Sequence, residues 1–262
     1  MSRFCPLYSS SKGNSALLSG GGASLLVDVG ISLRQLVTAM AEQGLTPDDL
    51  SGVLITHEHS DHIRGLAMLL KKFSLPVFAS RGTLEALFIK GDIPAATKAV
   101  ELAGATVIDD IWVQPFDTPH DANHSTGFRF EMPDGRTVAI ATDLGHVTDI
   151  VREHITGCDL VMLESNYDRG MLDCSRYPYS LKRRIKGDYG HLSNEVCADE
   201  CCRLIRSGTT RLVLGHLSEQ NNLPTLARQV TQSILNAAQM RENRDYILSV
   251  APARGMTRAI VF

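Results

Sequence analysis

The chain has 262 residues, 44% hydrophobic and 21% charged, with a formal net charge of −3. That balance suits a globular chain with a substantial core, and its slightly acidic character excludes a global basic field as the means of holding nucleic acid. No apolar run approaches the roughly 20 residues that cross a bilayer, and Met1-Ser2-Arg3-Phe4-Cys5 lacks the apolar centre of a signal peptide, so no membrane partner is expected and the default location is cytoplasmic. The six cysteines (Cys5, Cys158, Cys174, Cys197, Cys201, Cys202) form no zinc-ribbon pair and read as buried or incidental thiols.

In chain order, Ser9-Ser10-Ser11-Lys12-Gly13-Asn14-Ser15 separates two short apolar segments and predicts a hairpin turn. Ala23 to Val27 is a strand ending at Asp28-Val29-Gly30. Asp28 either hydrogen-bonds a neighbouring loop or caps the helix that Ser32 to Gln43 predicts, which Gly44 closes. Val53-Leu54-Ile55 is then a buried strand, and it emerges directly into Thr56-His57-Glu58-His59-Ser60-Asp61-His62. In an extended segment alternate side chains share a face, so His57, His59 and Asp61 can point one way while His62 opens the next helix, Ile63 to Phe73. Imidazole and carboxylate donors without a thiolate suit zinc, manganese or iron, and their alternation can divide them between two ions. An expression tag would sit at a terminus, without a strand before it and an apolar helix behind it.

A strand Pro76 to Ala79 and a helix Thr83 to Lys90 follow; residues 91–110 are ambiguous. Ile111 to Phe116 leads into Asp117-Thr118-Pro119-His120-Asp121-Ala122-Asn123-His124, whose two histidines are the next supply of ligands. Thr126 to Met132 and Thr137 to Ala141 make a hairpin around Pro133-Asp134-Gly135, and Asp143 stands just past it as either a ligand or a turn aspartate. Asp159 to Leu163 is a strand ending in Glu164-Ser165-Asn166. Arg176, Lys182, Arg183, Arg184 and Lys186 make a local basic stretch, read either as a solvated face or as a substrate contact. In Gly190-His191-Leu192-Ser193 the serine can cap a helix running through Ile205, and Arg211 to Leu214 is a strand that delivers His216. A helix Pro224 to Met240 and strands Tyr246 to Val250 and Arg258 to Val261 carry no obvious chemistry. With no repeat, low-complexity tract or linker, one domain over 1–262 is expected, and the interleaving of strands and helices predicts α/β layering.

His57-Glu58-His59-Ser60-Asp61-His62 resembles the His-x-His-x-Asp-His signature of the metallo-β-lactamase superfamily, with Glu58 at a variable position, and by His216 the resemblance spans nearly the whole chain. It implies a four-layer αβ/βα sandwich with the site at the edge between two sheets. It also implies that His57, His59 and His120 hold one ion, that Asp61, His62 and His216 hold the other, and that Asp143 bridges them. His120 is preferred to His124 because Pro119-His120-Asp121-Ala122, set just before Gly127-Phe128, is similar to the family's third-histidine motif. Two divalent ions per chain are therefore expected, zinc or manganese, with iron acceptable.

Within the superfamily, Ser9-Ser10-Ser11-Lys12-Gly13-Asn14, Glu164-Ser165-Asn166, Tyr177-Pro178-Tyr179-Ser180-Leu181-Lys182-Arg183-Arg184 and Gly190-His191-Leu192-Ser193-Asn194 resemble the YycJ/WalJ-type branch. The pairing of Gly190-His191 with Leu214-Gly215-His216-Leu217-Ser218 is similar to tRNase Z, where the first of these histidines assists at the scissile phosphate. His124 departs from the branch, which has an acidic residue there. The resemblance implies a phosphodiesterase or nuclease, 5′-to-3′ exonuclease-like on single-stranded nucleic acid, with a metal-bridging hydroxide as nucleophile and catalytic roles for Asp61, Asp143 and His191. Lys182, Arg183 and Arg184 are expected to grip the strand's backbone. Two other classes compete. A hydrolase of lactones, thioesters or other acyl compounds uses the same ions on carbonyls, and a non-catalytic binding protein on this scaffold has no need of the full ligand set.

Overall fold

Along β2 (Gly13–Gly20), β3 (Ala23–Val27) and β4 (Gly52–Ile55) both faces are largely buried, the pattern of a sheet covered on each side. The structure, a computed structural model, describes residues 1–253 and 258–262. In it these strands join β1 (Arg3–Ser10), β5 (Val77–Ala79), β6 (Ala99–Glu101) and β14 (Ile260–Val261) in a sheet of order β14-β1-β2-β3-β4-β5-β6. The second sheet contains β7 (Thr106–Ile108), β8 (Ile111–Asp117), β9 (Thr126–Glu131), β10 (Thr137–Ala141), β11 (Leu160–Glu164), β12 (Arg211–Gly215) and β13 (Ile247–Val250), in the order β13-β12-β11-β10-β9-β8-β7. The site depends on the parallel pairs, β3 with β4 in the first sheet and β10 to β11 to β12 in the second.

Alternation along the strands sets the layers. Leu18, Leu25 and Leu54 of the first sheet meet Phe128, Phe130, Ile140 and Val213 of the second in a central core. Their neighbours Leu17, Leu26 and Val53 turn outward, onto α1 (Leu33–Glu42), α3 (Leu66–Lys72) and α4 (Arg81–Lys90). On the far side Ala139, Val161 and Leu212 turn onto α5 (Asp149–Ile155), α8 (Asn194–Arg206) and α9 (Pro224–Ala237). The result is the expected four-layer sandwich. A register slip of one residue would send each of these side chains to the wrong layer, and full burial of one such side chain is worth about 1.5–3 kcal/mol. Among the described residues no helix is long and apolar enough to cross a membrane.

Several elements differ from the expected ones. The helix Ile63 to Phe73 is broken into α2 (Ser60–Ile63) and α3, because the Gly65 N–H donates to Val29 O at 2.8 Å. A Cβ on Gly65 would lie 2.1 Å from Ile31 O, so only glycine allows the loop after β3 to pack this closely. Residues 91–110 supply the edge strands β6 and β7. The helices α5, α6 (Arg169–Cys174) and α7 (Tyr179–Lys186) are additional to the expected elements; α5 and α6 are short and bury one or two side chains each, and the amphipathic pattern of α7 is carried by its lysines and arginines around a single buried Ile185. Cys201 and Cys202 are both buried, and burial pushes the Cys5 and Cys158 thiols up to about 11.

One tie between strands is sensitive to acid. Asp159 accepts from Thr137 N at 2.8 Å, Thr137 Oγ1 at 3.1 Å and Arg136 Nη1 at 2.7 Å. Burial alone would raise its pKa, but these donors outweigh burial and hold it below the ordinary carboxylate value. Its contribution is therefore present above the unfolded-state pKa of about 3.9 and is lost as pH falls through the lower folded value. Urea unfolding should show Asp159→Asn destabilised by about 1 kcal/mol or less at pH 7, the pair being largely solvated, with the difference shrinking in acid.

Candidate metal centre

Most of the chemically distinctive residues leave a parallel strand at its carboxyl end, where open sheets gather their chemistry, while His120 follows the antiparallel strand β8 and His191 lies in the loop before α8. Asp28 follows β3, His57 to His62 follow β4, Asp143 follows β10, Glu164 ends β11, and His216 follows β12. Three of them, Asp28 (φ 62°), Asp143 (φ 58°) and His216 (φ 54°), adopt the left-handed backbone region. Non-glycine residues persist there at a cost of about 1–3 kcal/mol only where their surroundings hold them, a situation concentrated at functional sites.

The side chains converge as two groups around one carboxylate. His57, His59 and His120 form a triad with ring centroids 4.5–5.1 Å apart. Asp61, His62 and His216 form a second, with His216 Nε2 3.4 Å and His62 Nε2 3.6 Å from Asp61 Oδ2. Asp143 lies between them. Its Oδ2 is 3.3 Å from His62 Nε2, and its Oδ1 is 3.4 Å from His216 Nε2 and 3.7 Å from His120 Nε2. All these residues but His59 and Asp61 are buried; His59, Asp61, His120, Asp143 and His216 floor a cleft of about 220 Å³ that His191 also lines, with His57 and His62 beneath it. His124 stands apart, its Nε2 on exposed Asp117 at 2.9 Å.

The electrostatics fit a cation. Burial, then the neighbouring His62, pushes His57 well below the ordinary imidazole value, so it is neutral with a lone pair to offer. Burial also opposes charge on His62 and His216, but the surrounding carboxylates, Asp143 first, outweigh it and hold His62 well up and His216 at about 10. Burial would raise Asp143 too, yet His216 and His62 keep it well below the usual carboxylate range. Among the described residues His57 Nε2 is buried without a hydrogen-bond partner, and Asp143 Oδ2 has only the contact to His62 Nε2 at 3.3 Å. An orphaned atom of this kind costs about 1–3 kcal/mol, a cost that a bound cation would remove. Nitrogen and oxygen donors in two groups, their ligand atoms within 4.8 Å of one another in each, fit divalent metal.

Two buried carboxylates orient these groups from outside. Asp28 accepts from Thr56 N and Thr56 Oγ1, each at 2.9 Å, and lies 2.8 Å from His62 Nδ1. It thus serves the metal loop, while Ser32 caps α1. Fixing one ring nitrogen points the other inward, and losing such a partner typically costs 10- to 100-fold in metal affinity. Asp28→Asn should show that loss in a zinc competition titration. Glu164 Oε1 lies 2.8 Å from both His216 Nδ1 and His191 Nδ1, and its Oε2 accepts from Leu144 N and Leu192 N. Asn14 Nδ2 reaches Asp61 Oδ2 at 3.3 Å, and Ser9 Oγ accepts from His216 N at 2.7 Å, so the serine-rich hairpin turn also braces the site.

The expected cations are differently placed. Lys182 Nζ donates to the carbonyls of Asp173 and Ser175, each at 2.8 Å. Arg184 grips Asp121 at 2.5 and 2.9 Å and lines the cleft, and Arg183 is exposed.

Fold and donor set together define the class: a metal-dependent hydrolase of the metallo-β-lactamase fold. Residues 24–217 match the Beta-lactamase superfamily domain, and the chain belongs to that superfamily. It is 38% identical over 234 residues to exodeoxyribonuclease YycJ of Bacillus anthracis, covering 88% of each chain. It is 34% identical over 248 residues to exodeoxyribonuclease WalJ of Streptococcus pneumoniae, covering 93% of this chain and 92% of that one. Among solved structures, the metallo-beta-lactamase fold protein YhfI of Bacillus subtilis superimposes with a TM-score of 0.74 at 17% identity, covering 98% of this chain and all of that one.

Proposed function

We propose that the protein is a binuclear metal-dependent phosphodiesterase that shortens single-stranded nucleic acid from its 5′ end, with residues 1–262 acting as one hydrolase domain. The observation that carries this is the position of Asp143, buried between two ligand triads on the floor of an open cleft. His57, His59 and His120 would hold one divalent ion and Asp61, His62 and His216 the second, with Asp143 a donor available to both. Zinc and manganese both suit these donors, and iron is compatible. When bound, such ions supply water of lowered pKa and positive charge facing the phosphate oxygens. The similarity to the two exodeoxyribonucleases supports nucleic acid as substrate.

The chain's own groups complete the chemistry. Asp61 and Asp143 balance the charge gathered at the floor. Glu164 engages His191 Nδ1, which leaves Nε2 as the atom that meets substrate, and its position in the cleft suits a hydrogen bond or a proton for the leaving oxygen. The decisive assay uses 5′-phosphorylated and 5′-hydroxyl single strands and a matching duplex, with zinc and manganese supplied separately. Progressive loss of 5′ nucleotides from the single strand is expected. No cleavage of any of them by protein loaded with two ions would overturn the reading.

Of the three expected backbone contacts, Lys182 is turned onto two carbonyls and Arg184 onto Asp121, whereas exposed Arg183 has no ion pair or side-chain hydrogen bond among the described residues. It should contribute one phosphate contact, so Arg183→Ala should reduce the slope of log affinity against log salt by about 0.7. An unchanged slope would leave it an ordinary surface residue.

A further inference from the structure

Phosphate and cations require polar neighbours, yet one wall of the cleft is made by Tyr177, Leu181 and Ile185. They come from the segment of α6 and α7, between Glu164 and His191. Tyr167, Leu172 and Ile185 form a small buried cluster of its own there, and Tyr177 and Leu181 pack against it while remaining only partly covered. The cations of the segment build this wall. Lys182 closes the α6–α7 turn through the carbonyls of Asp173 and Ser175, Lys186 pairs with Asp173, and Arg184 ties α7 to Asp121, next to His120. The apolar surface is thereby anchored to the same loop that delivers a ligand to the floor, at a fixed place beside the reacting group.

We propose that Tyr177, with Leu181 beside it, is the stacking surface for the nucleobase adjoining the phosphate that is cleaved. The proposal rests on the phosphodiesterase reading above. A tyrosine ring supported from behind and reaching a cleft offers a flat apolar face, and every base has a π-face to lay against it. Affinity gained this way is indifferent to sequence. It is also denied to duplex, because a base within a helix is already stacked on both sides and must first be drawn out at a cost of a few kcal/mol. Such a wall favours single strands over duplex by stacking alone. An acyl chain would pack on Leu181 as well, but it has no need of a ring.

The test compares metal-loaded wild type, Tyr177→Ala and Tyr177→Phe on a single strand and on the same strand made abasic at its 5′-terminal nucleotides. Tyr177→Ala should raise KM about 5- to 100-fold on the normal strand and change it by no more than about twofold on the abasic one. Tyr177→Phe, which keeps the ring, should match wild type on both. An equal effect of Tyr177→Ala on the two strands, or no effect on the normal strand, overturns the proposal alone. Failure of wild type to cut either strand overturns the phosphodiesterase reading and this proposal with it.

Discussion

Replacing Asp143 by alanine is expected to abolish hydrolysis and to lower metal content from two ions per chain to one or none. Its two oxygens lie within 3.3–3.7 Å of histidines from both triads, so its removal takes a donor from each. Loss of an outer partner costs about 10- to 100-fold, and loss of a shared inner donor should exceed that. It would also leave His62 and His216 without the carboxylate that most strongly favours their charged forms. Elemental analysis and turnover on one preparation check both halves, with circular dichroism to establish that the variant folds. Full turnover with two ions retained would contradict the assignment.

His191→Ala is expected to behave differently: turnover down by about 10²- to 10³-fold, the usual cost of one catalytic hydrogen-bond donor, with metal content unchanged. The distinction follows from geometry. His191 belongs to neither triad: it lies close to Asp143, Glu164 and His216, with its Nδ1 3.9 Å from Asp143 Oδ1, but that nitrogen is taken by Glu164 Oε1 at 2.8 Å. Normal turnover of a phosphodiester by metal-replete His191→Ala would reject its catalytic role. A loss of metal in parallel would make it a ligand instead.

The sequence exposes the site better than the scaffold that holds it. His57 to His62 are contiguous, and Asp143 and His216 each stand just past a short apolar run, so strand ends alone point to them. Glu164 has the same signature, a carboxylate closing an apolar strand, but its task of holding two histidines through one oxygen depends on β11 lying between β10 and β12. Asp28 left two readings open because a cap and an outer partner need the same residue type in the same place; the β3–β4 pairing sets it beside Thr56 and His62. The left-handed backbone at Asp28, Asp143 and His216 gives no compositional signal, since glycine, the usual marker, is absent from all three positions.

The basic stretch shows the opposite limit. A run containing Lys182, Arg183 and Arg184 looks alike whether it faces phosphate or its own backbone, because charge has no direction in one dimension. Folded, Lys182 and Arg184 turn to Asp173, Ser175 and Asp121, and the helical pattern of α7 is hidden within the charge run that marks the stretch. The break at Gly65 is comparable: the apolar pattern runs on, and it is the Gly65 N–H bond to Val29 O, with Ile31 packed close by, that explains why the helix stops.

The central claim is that seven side chains from His57 to His216 hold a pair of cations. Elemental analysis by mass spectrometry, on protein purified without chelator and normalised to chain concentration, measures it directly. Two equivalents of zinc, manganese or iron are expected, falling in Asp143→Ala; a wild-type chain that stays metal-free after incubation with excess of each ion would contradict the account.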